Sequence, residues 1–480
     1  MAQPLTTASV PTDIYGGDEV SALVLDAGYC QTRAGFAGED VPKSVLPSFY
    51  GAIKDTSAAS GSRNVFGEDF IYARPDFEVK NYMSRTESVV EDWDTAVQVW
   101  ESMLLERLQP ERRQTQPSKN GLNDGADGEG DVSMEDAATS AENAENAEKP
   151  LAESPLLMTE APWNQGKARE KAIEIAMENW GCPAFWLSRT PVCAAFAAGK
   201  ASALVVDVGG ANTSVTAVHD GMILKRSIQK SHVGGLWLSS QIRSMFDSSD
   251  PKIEPSHPPQ TQLRPPSSYR AYEDERLLTE YKESVVEVWR GPGRYSNPGN
   301  EDLVKTQPGR IFEMPDGSNQ MWREQRFRVS EGMWDETAQL PTASEEERIT
   351  KAQTVPELIR ACLNAVDVDL RPNLLGNIVV TGGTSLLNGF NDRLNNELMG
   401  MYPGMRVKLH AAGLTTERRF GSWIGGSILA SLGTFHQMWI SKRSTTRMVP
   451  ALSRNAASKG FLKSWRLRID GAWTPKKKSR

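Results

Sequence analysis

Apolar and polar positions switch abruptly near the start of the chain. In ALVLDAGYCQTRAGF (22–36) an apolar run ends in Asp26, a residue later comes Gly28, and after a polar step a second run closes at Phe36. This pattern predicts strand, tight turn, strand. It recurs in ALVVDVGGANTSVTAV (203–218), with Asp207 and Gly209 in the same places. A third stretch, NIVVTGGTS (377–385), keeps the strand and the glycines but has threonine in place of aspartate. Val89–Leu108 and KAREKAIEIAMENWG (167–181) have helical spacing, and SPLLMTEAPWN (154–164) resumes strand-like patterning. Helices alternating with strands around a repeated hairpin imply an α/β fold.

Three segments break the pattern. Between Gly121 and Pro150 there are nine acidic residues, one basic and almost nothing apolar. Such a stretch cannot bury enough surface to offset its ordering entropy. Residues 111–150 are therefore expected to be a disordered insertion in a loop. The prolines of Ser248–Ser268 exclude helix interiors and central strands, and Gly291–Asn300 reads as a turn-rich loop.

The bulk numbers narrow the class. A chain of 480 residues, 39% hydrophobic, suffices for two or more packed domains. Its four cysteines, Cys30, Cys182, Cys193 and Cys362, form no CxxC pair, which argues against a zinc ribbon or a disulfide framework. The N-terminus has no secretory pattern and no apolar run is long enough for a bilayer, so cytoplasm or nucleus is expected and no membrane partner. The net charge of −7 divides into +11 over Lys442–Arg480, from twelve basic residues and one acidic, and −18 over the rest. An acidic body does not suit DNA binding by the whole surface. The tail reads either as a solvated disordered end or as a nucleic-acid contact or import address.

A strand–Asp–x–Gly–strand turn can aim backbone N–H groups at an anion, since glycine lets the chain approach closely. Two such turns facing each other would clamp a polyphosphate. Asp26 and Asp207 would then hold a magnesium ion through water, with Gly382 and Gly383 bordering the nucleoside. The competing reading is that the glycines only serve tight hairpins. Neither the P-loop signature nor GxGxxG occurs.

RAGFAGED (33–40), LLMTEAPWN (156–164), FEMPDGSN (312–319), VVTGGTSLLNGF (379–390) and SWIGGSILASLGTFHQMWISK (422–442) resemble actin segments, in the same order. GGDEVSALVLDAGY, VEDWD and the acidic insertion are most similar to the nuclear branch of the actin family. The resemblance implies an actin-like ATPase fold, with two related ribonuclease H-like α/β domains around a nucleotide cleft. Residues 1–13 would be a flexible N-terminus. The first domain would take 14–190, the second 191–430 with an inserted subdomain at 232–330, and residues 431–442 would return to the first. Residues 443–480 would be a basic, disordered tail.

By the same resemblance, ATP, with magnesium, would be bound by Asp26, Gly28, Tyr29, Arg33, Asp207, Gly209, Gly210, Ala211, Asn212, Gly382, Gly383 and Thr384. Lys282 and Glu283 fall where actins contact ribose and base, though they also read as an ordinary solvated helix pair. Arg419 falls where a basic residue stacks on adenine. The departures concern chemistry. The glutamine that orients the attacking water falls on Thr190, the acidic residue of the second turn on Gly210, and a histidine beyond it on Ser214. A good general base is worth roughly 10²–10⁴-fold in rate, so very slow hydrolysis is expected. Tyr29 is expected to crowd the terminal phosphate.

The resemblance further implies a non-catalytic structural subunit of nuclear chromatin remodelling and histone acetyltransferase complexes, which act in transcription regulation and DNA repair. Its partners would be nuclear actin and a helicase-associated helix, with histones or nucleosomal DNA as further contacts. The helix would lie in a groove lined by Phe196, Gly199, Gly425, Ile428, Leu429, Leu432 and Thr434; core packing explains part of the same pattern. Filament formation is not expected, because Ser48–Phe66 does not match the loop by which actin subunits grip one another. An active ATPase or sugar-kinase-like phosphotransferase, and a cytoskeletal actin-related protein, are the alternatives. After Lys442 the resemblance stops. Codons able to encode Arg443–Arg447 spell the family's Glu-Tyr-Asp-Glu ending in a shifted frame, so residues 443–480 are expected to arise from a frameshift, a retained intron or an alternative exon.

Overall fold

The computed structural model describes residues 22–441 except 55–61, 68–76, 110–148, 250–251, 254–265, 292, 315–316, 342–344, 434 and 436–437. The expectations for the N-terminus, the acidic insertion and the tail therefore lie wholly or almost wholly outside the described residues.

Two mixed sheets carry the fold. The first contains β1 (Leu23–Ala27), β2 (Gln31–Phe36), β3 (Ser44–Pro47), β7 (Leu156–Glu160), β8 (Ala184–Arg189) and β17 (Ile440–Ser441), in the order β17-β8-β7-β1-β2-β3. A small sheet of β4 (Phe49–Lys54), β5 (Ser62–Val65) and β6 (Phe77–Asn81) stands beside it. The second large sheet contains β9 (Ala203–Val208), β10 (Thr213–His219), β11 (Met222–Ile223), β15 (Ile378–Thr381) and β16 (Leu409–Ala411), in the order β11-β10-β9-β15-β16, with β12 (Gln229–Ser231) on β10. A hairpin of β13 (Arg310–Glu313) and β14 (Asn319–Trp322) lies apart.

The sequence echo is a structural echo. β1 pairs antiparallel with β2, Asp26 opposite Arg33, and parallel with β7. β9 pairs antiparallel with β10, Asp207 opposite Ser214, and parallel with β15. Each first strand is thus buried between a hairpin partner and a parallel neighbour, which is why both read as near-continuous apolar runs.

The principal helices are α1 (Trp93–Glu101), α2 (Gly166–Glu174), α3 (Thr190–Ala197), α4 (Gly235–Asp247), α5 (Ser267–Ser284), α6 (Val355–Asn364), α7 (Phe390–Met401) and α8 (Gly421–Ser431). α1 starts at Trp93 instead of Val89 because the Asp92 carboxylate caps it, accepting from the Thr95 N–H at 3.1 Å. One core holds Leu23, Leu25, Trp100, Trp180 and Phe185. A second holds Leu204 and Val206 together with Trp237, Phe246, Tyr281 and Trp322. Within 232–330, Trp237, Phe246, Tyr281 and Trp322 thus share a core with the second sheet, while Trp289, Val304 and Phe327 form a small cluster of their own.

α3 and α8 join the lobes. Ala194 and Ala195 of α3 pack on the second sheet against Ala203, Val205 and Val379. Trp423 of α8 packs on the first sheet against Val24 and Leu157, its indole N–H donating to the Val24 carbonyl at 3.2 Å. The buried indole thus docks α8 on the first sheet, while its first residue, Gly421, abuts Thr381 of the second. The helices cross at Gly425, where an added Cβ would overlap the Cys193 carbonyl. Among the described residues no helix is long and apolar enough to cross a membrane.

Gly425→Ala is expected to cost about 3 kcal/mol, the upper part of the usual range for overpacking a tight contact. Gly433→Ala is the control, because nothing lies within 4 Å of a Cβ there. Denaturant unfolding of the two variants checks the difference, and equal midpoints would reject the close crossing.

Candidate functional site

The glycine turns of the two hairpins close in the same way. The Gly28 N–H donates to the Gln31 carbonyl at 3.0 Å, and the Gly209 N–H to the Asn212 carbonyl at 2.9 Å. The third turn is docked on the second. Gly382 has φ +90°, and a Cβ there would overlap the Val208 carbonyl, so only glycine fits without strain. The Thr384 hydroxyl donates to the Gly209 carbonyl at 2.8 Å. All three turns face one cavity of about 1280 Å³ between the lobes. Each of the fifteen residues expected at a nucleotide lines it, from Asp26 to Arg419, and so do Thr190 and Ser214.

Electrostatics divides these residues into committed and open groups. The Arg33 guanidinium pairs with the Asp26 carboxylate at 2.9 Å and lies over the Phe420 ring. The other Asp26 oxygen accepts from the Thr159 hydroxyl, and Asp26 is 3% exposed. Its charge is therefore matched by Arg33 at the cavity wall. Asp207 faces the cavity with no side-chain hydrogen bond among the described residues. Burial, aided by the nearby Asp26 charge, pushes its carboxyl up to about 6.

Lys282 is also spoken for. Its ammonium donates to the Gly235 carbonyl at 2.9 Å and the Ser239 hydroxyl at 2.6 Å, and pairs with Glu275 at 3.2 Å. Three donors meet three acceptors, which leaves none for a ribose. Glu283 and Arg419 pair with each other at 3.0 Å on the cavity rim. Tyr29 lines the cavity, but its ring meets Phe49 edge-on at 5.7 Å, so the expected crowding of a phosphate is not its main contact.

Sequence reasoning missed how Cys30 is used. A Cβ on Gly210 would overlap the Cys30 sulfur as it stands, so the tips of the two turns touch through the thiol. Desolvation by the surrounding turns raises the Cys30 thiol above its ordinary value, although the residue reaches solvent. It also missed Thr159 and Glu275, for which nothing in the local pattern signals a role.

ATP and magnesium, which the fold family implies, can be tested against this set. Among the described residues the N–H groups of Tyr29, Cys30, Gly210 and Ala211 meet no protein acceptor, and all four residues line the cavity. Unmet donors on two facing turns suit phosphate oxygens. The open Asp207 carboxylate would repel phosphate unless a cation stood between, which suits a water-bridged magnesium. The donor set fits the group. Thr190, Gly210 and Ser214 carry no charge, and among the described residues beside the turns Asp207 is the one open carboxylate.

The residues expected to line a partner groove lie around the α3–α8 crossing. Ile428 on α8 and Leu432 just past its end are 37% and 40% exposed, and Phe196 is half-buried. Gly199, at φ +65°, ends α3 with open space around it. Gly425 and Leu429 are buried, one in the helix crossing and the other in the apolar cluster between α8 and the first sheet. Thr434 lies outside the described residues.

Comparison with known proteins gives a consistent picture. A family model described as Actin matches residues 17–445. The chain is 69% identical to Actin-related protein 4 of Gibberella zeae, over 92% of this chain and 96% of that protein. It is 68% identical to Actin-related protein 4 of Neurospora crassa, with the same coverage. It is 31% identical, over 89% of this chain and 96% of the relative, to the Schizosaccharomyces pombe protein named SWI/SNF and RSC complexes subunit arp42.

The raised Asp207 carboxyl makes stability depend on pH. An acid whose pKa rises on folding holds its proton more tightly when folded. At neutral pH, where it is ionised, it costs stability, and the cost falls as pH drops from about 6 towards the ordinary aspartate value. Without added nucleotide or metal, Asp207→Asn is expected to stabilise by roughly 2 kcal/mol at pH 7.5. The advantage should shrink by more than half by pH 4.5. Parallel thermal melts across this range check it, and a variant less stable than the parent at pH 7.5 would overturn it.

Proposed function

This chain belongs to the actin family, and from that premise we propose that it is a non-catalytic subunit of chromatin remodelling complexes that holds ATP between its lobes with little or no hydrolysis. The names of its relatives support the chromatin assignment, and with it residence in the nucleus. The observation that carries the rest is the make-up of the cavity. Three glycine turns converge on it, the first two with unmet N–H donors among the described residues, while Thr190, Gly210 and Ser214 fall where the family resemblance puts the groups that orient or deprotonate a water. Such a site grips phosphate and leaves its terminal bond alone.

In this reading the N–H groups of the first two turns bind the phosphates, and Arg33, neutralised by Asp26, orients the first turn without adding net charge. Asp207 holds the cation through water. Magnesium, when bound, offsets the negative charge that the phosphates bring. Gly383 and Arg419 border the base. A ligand that binds only the folded state stabilises it by RT ln(1 + [L]/Kd), so the nucleotide acts as a staple between lobes that otherwise meet through α3, α8 and contacts along the cleft edges.

The partner side of the proposal rests on Ile428, Leu432 and Phe196. A helicase-associated helix of a remodeller or acetyltransferase scaffold would cover them, with nuclear actin seated beside this chain on the same helix. Each large apolar side chain fully covered contributes about 1.5–3 kcal/mol, so a few such contacts suffice for a stable subunit.

Native purification followed by denaturation is expected to release about one ATP per chain, and the purified protein should release phosphate at the background rate. Turnover well above background that disappears in Asp207→Asn would replace this reading with an active ATPase. Independently, Ile428→Asp with Leu432→Asp should deplete the chain from its native assembly by 10-fold or more while leaving its melting curve unchanged. Undiminished co-purification of the large subunits would remove the groove from the proposal.

A further inference from the structure

One wall of the cavity is a single helix. Tyr272, Glu275, Arg276, Thr279, Lys282 and Glu283 of α5 line it at helical spacing, while Leu278 and Tyr281 enter the core on the opposite face. From Tyr272 to Glu283 the helix advances about 16 Å. The phosphate turns lie partway along this wall. Cys30, at the tip of the first turn, feels the charges of both Lys282 and Glu275. The Lys282 ammonium holds the carbonyl of Gly235, whose own N–H donates to the Gly209 carbonyl of the second turn.

The two ends of the wall differ. Glu283, paired with Arg419, marks the end where the first base is placed. The other end is aromatic. Tyr272 packs on Phe49 at 5.3 Å and Phe49 meets Tyr29 edge-on at 5.7 Å, and all three line the cavity together with Val79 and Ala271. Rings that meet tilted or edge-on cannot cover all of each other's faces. Arg243 of α4 and Arg276 line the same half. They pair with Asp274 at 3.3 Å and Glu273 at 3.0 Å, yet their side chains stay 42% and 56% exposed. Exposed pairs of this kind are weak, and a guanidinium exchanges a carboxylate for a phosphate readily.

A mononucleotide leaves this half of the space unused. The cavity of about 1280 Å³ exceeds the roughly 300–1,000 Å³ of pockets that enclose one small ligand. We infer that it accepts a dinucleoside polyphosphate. The phosphate chain lies on the glycine turns, one base sits at Gly383 and Arg419, and the second stacks at Tyr272 and Phe49. This rests on the proposed nucleotide site and names a further ligand class for it. Aromatic stacking tolerates any base, because every base has a π-face. The second nucleoside is therefore recognised as a flat ring on a phosphate chain, with Arg243 and Arg276 meeting the added phosphate charge.

The test uses the full-length protein and a fluorescent etheno-ATP, displaced in turn by ATP, adenosine tetraphosphate and diadenosine tetraphosphate. The last two carry the same phosphate chain and differ by the second nucleoside. Diadenosine tetraphosphate is expected to bind about 10-fold tighter than adenosine tetraphosphate, the gain from stacking one further base. Tyr272→Ala should remove that gain while leaving the affinity for ATP as in the parent, and Tyr272→Phe should keep it. Equal or weaker binding of diadenosine tetraphosphate to the parent, a comparison that needs no variant, would overturn the second base site and leave the nucleotide site standing. A gain that survives Tyr272→Ala would overturn its placement at the aromatic end. Failure of etheno-ATP and all three competitors to bind would overturn the nucleotide site and this inference with it.

Discussion

Gly425 has no room for a side chain because the Cys193 carbonyl occupies the place where one would go. That single close approach lets α8, anchored on the first sheet by Trp423, lie against α3, anchored on the second by Ala194 and Ala195. Two sheets of the same plan are thereby held with their hairpin turns pointing at a shared space. If the helices stood a side chain's width further apart, Gly28 and Gly209 would still form tight turns, but the Cys30 sulfur would no longer meet Gly210, and Thr384 would remain the only tie between turns. The cavity is a product of the crossing, and the turns only decorate it.

What the cavity can do follows from which charges are left over. Arg33 and Asp26 satisfy each other, as do Arg419 and Glu283 on the rim, and Lys282 is consumed by Glu275, Ser239 and the Gly235 carbonyl. The site retains neutral backbone donors and one open carboxylate, Asp207. Neutral donors bind phosphate without activating anything, whereas a phosphate-cleaving site needs groups that hold and deprotonate water. Binding and catalysis draw on different residues, and the proposed function rests on the first kind being present among the described residues while Thr190, Gly210 and Ser214 stand where the second kind is expected.

Much of this was legible in the chain, because it is local. The repeated Asp–x–Gly turns, the third glycine turn and the strand assignments all depend on neighbours a few residues apart, and period-2 patterning reports those directly. What escaped notice depends on partners far along the chain. Lys282 reads as a solvated helix residue or a ribose contact until Gly235 and Ser239, on a different helix, are brought against it. Gly425 and Leu429 read as groove residues because small and apolar positions at helical spacing describe a docking face and a packed face equally well. Only the neighbouring helix decides between them, and it takes the Gly425 side and leaves Ile428 and Leu432 outside.

Cys30 and Gly210 bring the argument back to the site itself. Taken singly, each is a departure from the family's pattern, a larger residue in one turn and a missing carboxylate in the other. In space they are one change, since the sulfur fills what the absent side chain vacates. A Cβ at 210 would lie 2.3 Å from that sulfur, so any larger residue there requires the Cys30 side chain to move. The two positions are coupled through packing, and the inactivity proposed for the site would involve both.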